Sequence, residues 1–329
     1  MEHVRLGVLD VGSNTVHLLV VDAHRGGHPT PMSSTKAPLR LAECINGDGK
    51  LTRKGAQKLI ETVGEFAKLA HSSGCKDVMA FATSAVRDAR NSDDVLAKVR
   101  AETGVDLQVL AGVDESRLTF LAVRRWYGWS AGRITDLDIG GGSLELSTGM
   151  DEEPDVALSL PLGAGRLTRE WLHEDDPPNR RRIAMLRDWL ETELSEGAKA
   201  MLDAGPPELA VGTSKTFRSL ARLTGAAPSA AGPRVKRVLT ADGLRQLIAF
   251  ISRMTTEDRA ELEGVSAERA PQIVAGALVA EASMRALSLD SVQICPWALR
   301  EGIILRRLDS EADGTALVPS AGRPEGETS

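Results

Sequence analysis

Leu6-Gly-Val-Leu-Asp10-Val-Gly-Ser-Asn-Thr15-Val-His-Leu-Leu-Val-Val21 decides the fold, because it returns later in the chain as Ile134-Thr-Asp-Leu-Asp138-Ile-Gly-Gly-Gly-Ser143-Leu-Glu-Leu-Ser147. Each copy reads as an apolar strand ending in Asp, a tight turn of small residues, and a second apolar strand. The two aspartates lie 128 residues apart and share the pattern Asp-x-Gly-small-small-hydroxyl. A strand hairpin opens each half of the chain, so the pattern predicts a duplicated domain. Outward from the first copy, Leu59, Ile60, Val63, Phe66, Ala67 and Ala70 form the i, i+3, i+4, i+7 stripe of an amphipathic helix over Ala56 to Ala70. Val78 to Ala82 follows as a short buried strand, and Val95 to Glu102 and Glu115 to Trp126 read as helices on either side of a strand at Leu107 to Leu110. In the second half, Ile183 to Leu202 and Gln272 to Leu287 read as helices and Glu208 to Val211 as a strand running into Gly212-Thr-Ser214. Strands alternating with helices give an α/β fold. Thr224 to Pro233 reads as a surface loop, and the tail after Asp309 lacks an apolar period.

A chain of 329 residues exceeds what one core usually organises, which again points to two domains. One Tyr, five Phe and five Trp leave little aromatic surface for stacking bases, so no nucleic-acid partner is expected. The net charge of -6 argues against a general polyanion-coating surface, so an anionic substrate must be met by a local basic groove. Cys44, Cys75 and Cys295 form no CxxC pair and fit a reducing compartment. No apolar run approaches the ~20 residues of a membrane helix, and a strand follows directly on Met1 to Arg5. A cytoplasmic protein without a membrane partner is the expectation.

Consecutive N–H groups and short hydroxyl or amide donors in a turn such as Gly12, Ser13 and Asn14 make a concavity that holds phosphate oxygens. One such turn alone is an ordinary β-turn, since Gly and Asn are common turn formers. Two of them, facing, grip adjacent phosphates of one chain. In the second turn Gly140, Gly141 and Gly142 let backbone approach an anion, and Ser143 adds a hydroxyl. Asp138 and Glu145 bracket that turn, and one or two carboxylates with water and phosphate oxygen are what Mg²⁺ takes. Asp10, at the matching strand end, orients a metal or a water. Glu145 as a solvent-facing strand residue is the plainer alternative. Thr83, Ser84 and Arg87 leave a buried strand for a helix, where they serve either phosphate binding or simple capping. Glu115 opens a helix, where an acid complements the dipole or acts as general base. His17 reads as a packed or surface histidine, Arg180 to Arg182 as an anion channel or a solvated helix entrance, and Trp297 as a packing anchor.

As a set, Asp10-Val-Gly-Ser-Asn14, Ala82-Thr-Ser-Ala-Val-Arg87, Gly112-Val-Asp-Glu115, Asp138-Ile-Gly-Gly-Gly-Ser143 with Glu145, Ser159-Leu-Pro-Leu-Gly163, Gly212-Thr213 and Trp297-Ala-Leu-Arg-Glu-Gly302 resemble the exopolyphosphatase and guanosine pentaphosphate phosphatase family. That family lies within the actin-like ATPase superfold, and the resemblance spans roughly residues 5 to 308, nearest to short mycobacterial-type exopolyphosphatases. It implies Glu115 as general base, Asp138 and Glu145 at the Mg²⁺ (or Mn²⁺) positions, the Gly-rich turns as phosphate-binding segments, and Arg87 as a phosphate-contacting arginine. At the third loop, Gly212-Thr-Ser-Lys215 carries a lysine where many relatives have glycine, which obstructs a nucleoside and favours an extended polyanion. The chain stops before the helical domain of longer members, which favours short polyphosphate. Inorganic polyphosphate is the substrate implied, with guanosine penta- or tetraphosphate as an alternative substrate or an inhibitor. A third alternative is a sensor that binds such molecules without cutting them. A homodimer is also implied, with Trp126, Trp129 and the Ile183 helix as its candidate surface.

The resulting expectation is two ribonuclease H-like domains, each with a five-stranded sheet, around an interdomain cleft. The first spans 1–125 with a helix near 297–308 packed back on it, the second spans 126–296, and 310–329 is a disordered tail.

Overall fold

The computed structural model describes residues 4–313, apart from 25 and 28. The first half contains β1 (Val4–Val11), β2 (Thr15–Ala23), β3 (Thr30–Pro38), α1 (Arg53–Ser72), β4 (Asp77–Ala82), α2 (Ser84–Arg87), α3 (Ser92–Thr103), β5 (Gln108–Val109) and α4 (Gly112–Tyr127). Its sheet has the order β3-β2-β1-β4-β5, antiparallel through β1, β2 and β3 and parallel through β1, β4 and β5. The second half contains β6 (Ile134–Ile139), β7 (Leu144–Gly149), β8 (Val156–Leu160), α5 (Ala164–Trp171), α6 (Arg180–Asp203), β9 (Leu209–Gly212), α7 (Ser214–Leu223), β10 (Val238–Thr240), α8 (Ala241–Ile251), α9 (Thr256–Ala260), α10 (Ile273–Ala286), β11 (Ser291–Ile294) and α11 (Leu299–Asp313). Its sheet runs β10-β11-β9-β6-β7-β8, with β7 and β8 antiparallel to β6 as β2 and β3 are to β1. The two halves are thus one topology used twice. The second sheet has six strands rather than five, because β10 pairs antiparallel outside β11.

Local chemistry accounts for the elements that place the site. Thr52 caps α1 by accepting from the Gly55 N–H, and the stripe read from the sequence is buried at Leu59, Ile60, Val63 and Phe66. The apolar faces of β6 and β7 close over Leu186, Leu190, Leu278 and their neighbours from α6 and α10. β3 was not foreseen; Thr30-Pro-Met-Ser-Ser-Thr-Lys-Ala-Pro38 is mostly exposed and has no apolar alternation, as an edge strand permits.

α11 packs Leu299, Ile303, Ile304 and Leu308 against Leu6, Val8 and Phe81 of the first sheet and Leu118 of α4. A side chain at Gly302 would overlap the Leu118 carbonyl, so only glycine allows the two helices this approach. The helix continues past Asp309 to Asp313, held by Arg125–Asp309 and by the Ser310 hydroxyl on the Arg307 carbonyl. It therefore enters the stretch expected to be a tail; 314–329 lie outside the described residues. α4 touches both halves, with Leu118 in one core and Phe120 and Val123 beside Ile134 and Val211 in another.

Candidate functional site

The two hairpin turns meet face to face. Ser13 and Ser84 share a hydrogen bond of 2.9 Å between hydroxyls, and Asn14 donates to the Gln272 side chain at 3.0 Å. A Cβ added at Gly142 would lie 2.4 Å from Ser84 Oγ, and one at Gly141 3.0 Å from Ser13 Cβ. Gly141 is therefore required by contact with the first turn, and Gly142 by contact with Ser84 at the start of α2. The Gly12 N–H donates to Thr15 O at 3.0 Å and the Gly140 N–H to Ser143 O at 2.9 Å, so these two close their turns and are not offered to a ligand.

Several other residues expected to hold phosphate also have partners within the protein. Gly212 is paired with both β6 and β11, and its missing side chain makes room for Phe217. Thr213 donates its hydroxyl to Asp138 at 2.8 Å and so fixes a carboxylate. Ser84 spends its hydroxyl on Ser13, and the Thr83 N–H extends the sheet by donating to Val11 O. Ser214 has a left-handed backbone and a buried hydroxyl without a partner in the structure.

The carboxylates gather around the turns. Asp138 and Glu145 are direct cross-strand partners in β6 and β7. Glu145 accepts from Ser159 at 2.9 Å and is buried, against the solvent-facing alternative. Burial, and then the charge of Asp138, push its pKa up to about 8. Glu115, in the first turn of α4, is pushed well above the ordinary range by burial and then by Glu145, with Arg87 opposing. Arg87 reaches it at 3.4 Å while also donating to Leu110 O at 3.1 Å. Burial likewise raises Asp10 and Asp138, and Arg300 pairs with Asp10 at 3.0 Å. Among the described residues no three acids or histidines converge closely enough to chelate a cation by themselves. A divalent ion that completes its shell with water and phosphate oxygen needs only one or two protein carboxylates. With Asp10 committed to Arg300, Asp138 and Glu145 are the pair suited to a divalent ion.

Near these acids stands a group of cations of which the sequence reading named only Lys215. Arg218 is lowered in pKa by burial and then by Arg300, Arg269 by burial and then by Arg218, and Lys36 and Lys215 by burial and then by these arginines. Such mutual repulsion means that several positive charges face one space. His17 lies at its edge, bonded to Ser34 at 2.7 Å and driven down to about 3 by burial and then by Arg300. Besides Lys215, only Arg300, inside a quoted motif, and Arg218, three places after Lys215, had any signal in the sequence. Arg269 sits in an irregular segment and Lys36 in an unforeseen strand. Arg166, also missed, donates to Gly142 O at 3.0 Å and pairs with Asp88.

Residues 20–311 match the Ppx/GppA phosphatase family. The chain belongs to that family. Among Ppx/GppA relatives, it is 79% identical to Exopolyphosphatase 1 of Mycobacterium tuberculosis over 97% of this chain and 92% of that one, and 78% identical to the Mycobacterium leprae protein of the same name over 97% and 94%. The Ppx/GppA fold is seen again in a crystal structure of an exopolyphosphatase from Cytophaga hutchinsonii, with TM-score 0.84, 23% identity, and 96% of this chain and all of that one covered. The Aquifex aeolicus Ppx/GppA structure has TM-score 0.79 at 25% identity, over 94% of this chain and 99% of that one. In this Ppx/GppA chain Trp126 stacks at 5.2 Å on Trp297, while Trp129 is exposed. Among the described residues no helix is long and apolar enough to cross a membrane.

Proposed function

We propose that the chain is an exopolyphosphatase that removes the terminal phosphate of inorganic polyphosphate with a divalent ion, Mg²⁺ or Mn²⁺. The carrying observation is the apposition of the first turn and the start of α2 to the second turn, with Ser13 against Gly141 and Ser84 against Gly142, beside a half-buried Glu115 paired with Arg87. Ser13, Asn14, Gly141, Gly142 and Ser143 cradle the terminal phosphates, and Lys36, Lys215, Arg218, Arg269 and Arg300 receive the rest of the chain. Asp138 and Glu145 would hold the ion, which when bound neutralises phosphate charge and relieves the repulsion between the two acids.

Glu115 then accepts a proton from a water as that water attacks the terminal phosphorus. The bridging P–O bond breaks, and the shortened chain leaves with the electron pair on its oxygen. Burial and the neighbouring Glu145 raise the Glu115 pKa, which makes its carboxylate a stronger base than an exposed one. Arg87 steadies the Glu115 carboxylate and meets the charge that develops on the phosphoryl oxygens. Lys215 beside the third turn supports an extended polyanion over a nucleoside, and the compact cation group supports short chains.

The division into domains 1–125 and 126–296, with α11 serving the first, is supported by the two sheets and by the α11 packing. A cytoplasmic homodimer is kept as part of this reading, with exposed Trp129 supporting the surface expected for it.

Phosphate release with Mg²⁺ from short polyphosphate, long polyphosphate and guanosine pentaphosphate tests the reading. The expected result is fastest release from short chains, falling at least about 100-fold in Glu115→Gln. Release confined to the nucleotide assigns the chain to guanosine pentaphosphate instead. Binding of all three without release makes it a sensor.

A further inference from the structure

The acids of the site stand between two separate groups of cations. Asp10 pairs with Arg300, which belongs to the chain-receiving group, whereas Glu115 pairs with Arg87 on the other side. The Arg87 side has its own opening to solvent, a cavity of about 290 Å³ that none of Lys36, Lys215, Arg218, Arg269 or Arg300 lines. Its wall carries Arg87, Arg166, Ser143 and Ser159, and Asp88 is the carboxylate among its described lining residues. Arg166 is fixed there by its bond to Gly142 O and its pairing with Asp88, so its guanidinium lies beside the second phosphate turn. The wall is tight at Gly112, where a Cβ would lie 2.2 Å from Ser159 Oγ, and open at the rim, where Val113 and Pro161 are exposed.

We propose that this cavity is the exit for the orthophosphate product, which leaves past Arg87 and Arg166 while the shortened chain stays among the cations of the opposite side. The proposal rests on the exopolyphosphatase reading. A bound chain occupies the route by which it entered, so a freed phosphate needs a second route, and an anion leaving a row of carboxylates needs cations along it. The volume is several times the roughly 30 Å³ of one water, which leaves room for a phosphate and part of its hydration. The chain can then advance by one phosphate without dissociating.

Short polyphosphate with Mg²⁺ is the probe, with phosphate formed followed by quenched flow and free phosphate followed by a fluorescent phosphate sensor. In Pro161→Trp, which crowds the mouth, release should fall about tenfold behind formation. The lag is read within one variant, so a general loss of activity does not imitate it. In Arg166→Met the inhibition constant of added inorganic phosphate should rise about tenfold while KM for the chain stays within about twofold; a merely structural arginine would move both together. Release that keeps pace with formation in Pro161→Trp, or unchanged phosphate inhibition in Arg166→Met, overturns the exit. If the wild-type protein forms no phosphate from polyphosphate in the quench, the exopolyphosphatase reading fails, and the exit fails with it.

Discussion

His17 occupies the place in the first hairpin that Glu145 holds in the second. It pairs across strands with Asp10, as Glu145 does with Asp138. The same backbone position thus carries a neutral, buried imidazole on the chain-receiving side and a carboxylate on the metal side. Its neighbours follow suit, since the next cross-strand partner is Lys36 in the first half and Ser159 in the second. Because folding lowers the His17 pKa to about 3, against roughly 6.5 in an unfolded chain, its contribution to stability is complete above that unfolded value. The contribution is lost as pH falls from there towards the folded value, when only the unfolded chain takes up the proton. Thermal melting between pH 7 and pH 4 should therefore show a steeper fall in Tm for wild type than for His17→Gln, which keeps a partner for Ser34. Parallel curves would refute the assignment.

Among the elements, the hairpins carry the site, and glycines at different places in their turns respond differently to the same change. Gly142→Ala drives a methyl to 2.4 Å from Ser84 Oγ and 2.8 Å from its Cβ, so the second turn and the start of α2 must separate. Overpacking of this sort costs about 1–3 kcal/mol, and phosphate release should fall more than tenfold. Gly12→Ala meets nothing nearer than Thr15 O at 3.4 Å, so urea unfolding should find it close to wild type. Equal destabilisation of both would show that the second turn does not pack against Ser84 as described. The hairpins and α1 were legible because their periods are local. β3 and β10 were not, since one is a polar edge strand and the other spans only Val238–Thr240.

For the whole molecule, a chain of net charge -6 brings five cations close enough to repel one another. Lys36 comes from β3, Lys215 and Arg218 from α7, Arg269 from the approach to α10, and Arg300 from α11. If these cations receive polyphosphate, KM should climb steeply as ionic strength rises and the Debye length shrinks from ~10 Å at 0.1 M. Lys36→Ala should raise KM several-fold more than it lowers kcat. A salt-independent KM, measured by initial rates, would place the chain elsewhere.

The amino-acid sequence determined the duplicated α/β fold, the turns and their flanking acids, and membership of a phosphatase family. All of these reside in contiguous stretches such as Asp10–Thr15 and Asp138–Ser143, whose backbone geometry is encoded residue by residue. It did not determine what each member of a stretch does. The absent side chain of Gly212 leaves room for Phe217, Thr213 donates to Asp138, and the Gly12 and Gly140 N–H groups close their turns. Nor could it assemble the cations or join Arg300 to Asp10 from the far end of the chain. Those depend on how α7, α10 and α11 pack against the sheets, and only burial in one shared space makes separate charges act on one another.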